Sequence, residues 1–223
     1  MTSAFVVILS AIASYLLGAI PFGYVISRAR GVDIRRVGSG NIGATNVFRS
    51  VGKPWGILTF VCDFLKGFGP AIFFPLVAAR LAPTIHPEIA GIVCALAAVA
   101  GHNWPIYLGF KGGKGVATSA GALLGIAWQA VLIGLVAWVV IFLLTRYVSV
   151  ASIAAALSIT VSSWILYARN STLLLPIALT LLAAVIVWRH KGNIQRLRSG
   201  TEHRFEFKRK TPAPPVTTHE TSP

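Results

Sequence analysis

Charge is what this sequence lacks most. Asp, Glu, Lys and Arg together make up 12% of its 223 residues, where a soluble domain carries about 25%. The deficit leaves too little polar surface to coat a water-soluble globule. Acidic residues are scarcer still, six against 20 Lys and Arg. Cysteine is limited to Cys62 and Cys94. Both fall inside apolar stretches, so they read as buried small hydrophobes rather than as a disulfide or a metal site. Residues 1–27 carry no charge and so lack the basic n-region of a cleavable signal peptide. The first apolar stretch is therefore expected to be retained as a helix.

Apolar residues are present in excess, at 55% of the chain with a mean hydropathy of +0.74. They form segments at about 4–25, 55–79, 89–108, 116–145, 150–167 and 172–188, long enough to cross a hydrocarbon core of about 30 Å. The fourth is the ambiguous one. At about 1.5 Å per residue it is long for one helix and short for two full spans, and Gly125 and Gln129 near its middle could mark a turn.

The positive charges decide between one helix and two. Six of the 20 Lys and Arg lie from Arg28 to Lys53, and eight follow Trp188. This is the positive-inside asymmetry of a polytopic protein, with attraction to anionic membrane lipids, and no nucleic-acid partner is expected. If both basic regions are cytoplasmic, an even number of crossings separates them, which requires the fourth segment to be split. The expectation is an all-α integral membrane protein, a seven-transmembrane-helix bundle with the N-terminus outside and the C-terminus cytoplasmic. Lys111 and Lys114 then lie inside and the 80–88 connection outside. Residues 1–210 form a single membrane-embedded domain, and 211–223, rich in Pro and Thr, a disordered tail.

Polar chemistry is concentrated in three motifs. The first is Gly38-Ser39-Gly40-Asn41-Ile42-Gly43-Ala44-Thr45-Asn46, followed by Arg49. Its opening matches G-x-G-x-x-G, but Arg35-Arg36 precedes it where a dinucleotide site needs a buried strand, and no βαβ unit is present. Such a loop can still present backbone amides and side-chain donors to an anion; the alternative is a tight re-entrant turn. The second motif is Lys111-Gly112-Gly113-Lys114-Gly115-Val116-Ala117-Thr118, after Gly101-His102-Asn103. It is not a Walker A loop, because Gly115 follows Lys114 where a Ser or Thr belongs. Glycines framing two lysines before a helix nevertheless suit a phosphate cradle, against the alternative of a basic loop that only fixes topology. The third motif runs from His190 through Asn193 to Leu197, then Gly200-Thr201-Glu202. A continuing last helix would put His190, Asn193 and Arg196 or Leu197 on one face, although a basic helix end is also ordinary snorkelling. Asp63 and Lys66 are costly inside an apolar segment. At i, i+3 they are expected to form an ion pair that positions the first motif.

These segments, with Thr145-Arg146-Tyr147-Val148-Ser149, resemble in order the bacterial acyl-phosphate:glycerol-3-phosphate acyltransferase family of the PlsY type, from about residue 5 to 205. The resemblance implies attack of the sn-1 hydroxyl of glycerol 3-phosphate on the carbonyl of an acyl phosphate, giving lysophosphatidic acid and phosphate at the cytoplasmic face of the bacterial inner membrane. An acyl phosphate is already an activated anhydride, so neither a covalent nucleophile, a metal nor a cofactor is expected. The family roles carried over here make Ser39, Arg49, Lys114, His190 and Asn193 the catalytic set. Gly40, Asn41, Asn46, Lys111, Gly112, Gly113, Gly115, Thr118, Ser149 and Glu202 become the substrate- and phosphate-binding set. His190 is the natural acceptor of the hydroxyl proton, with the leaving phosphate as the other. The His-x4-Asp signature of another acyltransferase group is absent, since Tyr107 and Gln195 stand five residues after His102 and His190. A transporter would place its polar groups near the midplane, often within internal repeats; no repeat is evident and the motifs cluster on one side.

Overall fold

The computed structural model describes residues 2–169 and 173–206. The tail expected from residue 211 lies outside them. The described residues are helical, with no strand among them. The order is α1 (Ser3–Gly18), α2 (Phe22–Ala29), α3 (Ala44–Ser50), α4 (Lys53–Leu81), α5 (Pro87–Asn103), α6 (Val116–Ile126), α7 (Trp128–Thr145), α8 (Val148–Tyr167), α9 (Leu174–Arg189) and α10 (Lys191–Arg198).

Several boundaries have a visible chemical cause. The first apolar stretch breaks between Gly18 and Phe22, where Pro21 removes a donor and biases Ile20 away from the α-region. α4 starts after Gly52, whose φ of 136° suits glycine, with Pro54 in its first turn. The long fourth stretch does split: at Ala127 the backbone leaves helical geometry (φ −149°, ψ 48°), ending α6 and starting α7.

Among the described residues, five stretches are long and apolar enough to cross a membrane: Ser3–Ala29, Lys53–Leu81, Pro87–Leu108, Trp128–Thr145 and Val148–Tyr167. Leu174–Arg189 with Lys191–Arg198 passes as a sixth only as a pair bent by 51°, and Val116–Ile126 is apolar but shorter. The last helix therefore does not run straight through the third motif. It bends at His190, and α10 sets off in a new direction. Outward faces are strongly apolar. Leu143 and Leu144 on α7 are 60% and 71% exposed, a surface suited to lipid rather than water.

Glycine contacts bring the helices close. A Cβ on Gly67 of α4 would lie 2.1 Å from the Thr118 carbonyl oxygen of α6, and one on Gly121 of α6 would lie 2.0 Å from that of Phe64. Gly18 and Gly101 make the same reciprocal contact between α1 and α5, at 2.0 Å from the Ala98 oxygen and 2.2 Å from the Tyr15 oxygen. Without a hydrophobic drive between helices in lipid, such backbone approach is a main source of association. Gly121→Leu is expected to abolish the monodisperse detergent-purified species on size exclusion, because the obstacle is backbone and cannot rotate aside. Gly69→Leu on α4, where the nearest neighbour would be Phe73 Cδ2 at 4.0 Å, should leave it intact.

Candidate active site

The α4–α6 close packing carries the N-terminus of α6 to the same end of the bundle as α3, the start of α8 and the α9–α10 bend. A cavity of about 190 Å³ opens there. Its wall includes Ser39, Asn41, Asn46 and Arg49 of the first motif, Lys114 and Gly115 of the second, and His190, Asn193 and Glu202 of the third, with Ser149 from α8. Phe60, Val116, Trp138 and Val148 give it an apolar flank.

Asn46 organises the first loop. Its Nδ2 donates to the carbonyls of Ile34, Val37 and Asn41 at 3.2, 3.1 and 2.9 Å, and its Oδ1 accepts from Ser39 N at 3.1 Å. Those bonds spend its amide, so it shapes the loop instead of reaching a ligand. Gly38 and Gly40 turn the chain with φ of 57° and 68°. Asn41 Oδ1 accepts from Gly43 N at 2.8 Å, an Asx turn. Arg49 donates to the His203 carbonyl at 3.3 Å.

The second loop sends Lys114 inward, where its ammonium donates to Asn193 Oδ1. Burial pulls its pKa down to about 8, assisted by the charges of Arg196, Arg189 and Arg49, with Glu202 opposing. Asn193 Nδ2 in turn donates to Glu202 Oε1 at 2.6 Å, which also accepts from Ser149 Oγ at 2.8 Å, while Glu202 Oε2 accepts from Arg196 Nε at 2.8 Å. The amide orientation is forced, since an ammonium only donates and a carboxylate only accepts. Burial alone would raise the Glu202 carboxyl, but the three hydrogen bonds hold it below the usual carboxylate range.

His190 is buried at the bend, with Nδ1 facing the Ile186 carbonyl at 2.8 Å. A carbonyl can only accept, so Nδ1 carries the proton and Nε2 keeps its lone pair.

Not every residue singled out in the sequence reaches the cavity. Gly40, Lys111, Gly112, Gly113 and Thr118 lie outside its wall. Lys111 is exposed. Gly112 and Gly113 pack on His102, and the Gly113 amide is spent on the His102 carbonyl at 3.1 Å. Thr118 is fully buried against α4. Glu202 stands in the cavity wall and accepts from Ser149, Asn193 and Arg196. Asp63 and Lys66 do pair, at 2.8 Å. Lys66 donates to the Ile20 carbonyl at 2.7 Å, so the pair holds the break between α1 and α2.

Two groups escaped the sequence reading. His102 Nδ1 lies 3.6 Å from Asp63 Oδ1 in the cavity wall, and Arg189 grips the second loop from behind. A buried acid one helix away from a histidine leaves no local signal, whereas Arg189 was hidden among ordinary helix-end cations.

A family model described as glycerol-3-phosphate acyltransferase matches residues 8–200. The glycerol-3-phosphate acyltransferase of Aquifex aeolicus (strain VF5) is 45% identical over 194 residues, covering 87% of this chain and 96% of the relative. That of Geotalea daltonii is 44% identical over 206 residues, covering 92% and 100%. Among solved structures, the glycerol 3-phosphate form of PlsY (YgiH), an integral membrane glycerol 3-phosphate acyltransferase, matches with a TM-score of 0.80 at 42% identity, over 90% of this chain and 96% of that one. Its lysophosphatidic acid form matches at 0.78 and 40% identity, over 90% and 95%. With its apolar helices and a family match that spans the first two motifs and reaches into the third, this chain belongs to the glycerol-3-phosphate acyltransferase family of integral membrane proteins.

Proposed function

We propose that this protein transfers a fatty acyl group from acyl phosphate to the sn-1 hydroxyl of glycerol 3-phosphate, releasing lysophosphatidic acid and inorganic phosphate. One observation carries the reading: cations and donors from three distant motifs converge on one cavity that has an apolar flank. Two anionic substrates need concentrated positive charge and donors to meet, and one of them brings a fatty chain. The hydroxyl oxygen forms a bond to the acyl carbon, the carbon–oxygen bond to phosphate breaks, and phosphate departs with the bonding pair. Lys114, Arg49 and Ser39 offset the phosphate charges, and Asn193 aims the lysine. Holding both reactants in attack geometry is worth up to about 7–11 kcal/mol.

In this reading the Nε2 lone pair of His190 accepts a hydrogen bond from the hydroxyl and orients it, and the departing phosphate is the base that takes the proton. His190→Asn, which keeps an acceptor, should then stay within about tenfold of wild-type kcat with an unchanged acidic limb, whereas His190→Ala should fall further. Loss of about 10²–10⁴-fold together with that limb in His190→Asn would make His190 the general base instead.

The arrangement proposed is a single domain over residues 1–210 in the bacterial inner membrane. It has seven crossings, the C-terminal side and the cavity cytoplasmic, and the N-terminus outside. The split at Ala127 and the basic segments flanking the cavity support it. Cysteine labelling in intact cells at Thr84 and Ser199 checks the sidedness; labelling of Ser199→Cys by an impermeant reagent would reverse it. The reaction is tested with detergent-purified protein, glycerol 3-phosphate and palmitoyl phosphate, following phosphate and lysophosphatidic acid together. Turnover only with palmitoyl-CoA or palmitoyl-acyl carrier protein would overturn the donor, and no product with any donor would overturn the enzyme.

A further inference from the structure

Arg189 lies behind the second loop, on the side away from the cavity. Its Nε donates to the Gly113 carbonyl at 2.9 Å, and its Nη2 donates to the carbonyls of Gly113 and Gly112 at 2.5 and 2.7 Å. The rings of Trp104 and Trp188 lie side by side, 6.3 Å between centroids, and each centroid is 5.9 Å from the central carbon of the guanidinium. On the α5 side, Gly113 N is bonded to the His102 carbonyl, and a Cβ on Gly113 would lie 2.0 Å from His102 Nε2. The Gly112–Gly113 peptide is thus held at its carbonyl by α9 and at its N–H by α5, and the Gly113–Lys114 peptide at its carbonyl by α9.

The pinning fixes a direction. The described residues contain no cis peptide bond, and in a trans peptide the N–H points opposite to the preceding carbonyl. With the Gly113 carbonyl turned toward Arg189, the Lys114 N–H is turned away from it. Lys114 and Gly115 line the cavity; Arg189 does not. The Lys114 amide has no hydrogen-bond acceptor among the described residues.

We propose that Arg189 is a positioning residue, whose grip on the Gly112 and Gly113 carbonyls presents the Lys114 backbone amide, alongside the Lys114 ammonium, to an anionic oxygen in the cavity. That oxygen belongs either to a substrate phosphate or to the carbonyl under attack. The inference rests on the acyl-transfer reading. A guanidinium suits the task because its planar fork reaches two carbonyls at once while packing against neighbouring aromatic rings, which an ammonium cannot reproduce.

The test is a comparison of wild type, Arg189→Lys and Arg189→Met with glycerol 3-phosphate and palmitoyl phosphate, expressed per folded protein by size exclusion and thermal unfolding. A wild type that fails to turn over defeats the functional reading, and only an active wild type tests this one. Arg189→Lys is expected to fold and to lose roughly tenfold, and Arg189→Met about 100-fold, the scale of a misplaced or missing oxyanion donor. A loss in kcat at unchanged KM places the amide on the carbonyl oxygen. A rise in KM for one substrate, in both variants, places it on that substrate's phosphate. Wild-type kcat and KM in folded Arg189→Lys would overturn the proposal. So would failure of Arg189→Lys to fold, because Arg189 would then serve folding alone.

Discussion

Lys114→Met is expected to lower kcat/KM for glycerol 3-phosphate by about 10²–10³-fold in protein that remains folded. The ammonium is held in the cavity by Asn193 and has no carboxylate bonded to it among the described residues. It is therefore available to a phosphate with most of its dehydration already imposed by the fold. A hydrogen bond to a charged group is worth about 1.5–3 kcal/mol, and unit charges about 4 Å apart at an effective dielectric near 20 gain about 4 kcal/mol. Methionine keeps much of the stem volume and removes both contributions. A loss below tenfold would mean that Arg49 or Arg196, not Lys114, dominates phosphate binding.

The same lysine sets a pH dependence. Its pKa in the free protein is pulled down to about 8, chiefly by burial, from an ordinary value near 10.4. The charged form is the binding form, so kcat/KM, which reports the free enzyme, should fall as pH rises through about 8. A bound phosphate dianion favours the ammonium, so the corresponding limb in kcat lies higher. Lys114→Arg keeps its charge throughout this range, and whatever activity it retains should lose the limb near pH 8. An unshifted limb in that variant would assign it to another group.

The helices were largely legible because lipid-facing segments have a one-dimensional signature, apolar length bounded by charge. Even the break at Ala127 followed from counting crossings against basic loops. Pro21 was equally visible, yet the stretch around it reads as one helix because hydropathy does not distinguish an unbroken helix from α1 and α2 following one another within a single span. Within the cavity, the residues brought together were legible as motifs, but their division of labour was not. Asn46 and Ser39 have similar polarity in sequence; only the fold spends every Asn46 donor on the carbonyls of Ile34, Val37 and Asn41. Gly113 reads as a phosphate-facing amide until His102, from the end of α5, is found to accept it. These distinctions depend on which carbonyl a loop presents to a distant helix, and no local pattern encodes that.

Glu202 is the second position where a large effect is expected. Its carboxylate joins α8 through Ser149, α10 through Arg196 and the cavity through Asn193. Glu202→Ala leaves those three donors without an acceptor and one cation without its partner. A broken buried pair costs about 3–5 kcal/mol, and the lower end applies here because the Arg196 side chain remains 35% exposed and can regain water. The effect depends on pH in a definite sense. The folded carboxyl titrates below its unfolded counterpart, so its stabilisation is complete above the unfolded value of about 4.3 and disappears as pH falls through the lower folded value. Thermal unfolding of wild type and Glu202→Ala should therefore differ most near neutrality and draw together in acid. Turnover should fall as well, on the order of 100-fold, because Asn193 without Glu202 no longer has a fixed amide orientation and Lys114 loses its fixed acceptor. Glu202→Gln separates the two roles. Its carbonyl still accepts from Asn193 and Ser149, but its amide meets Arg196 donor to donor, so stability should drop while much of the catalytic alignment survives. If Glu202→Ala instead unfolds like wild type and only raises KM for glycerol 3-phosphate, Glu202 touches substrate directly and the relay from Glu202 through Asn193 to Lys114 is wrong.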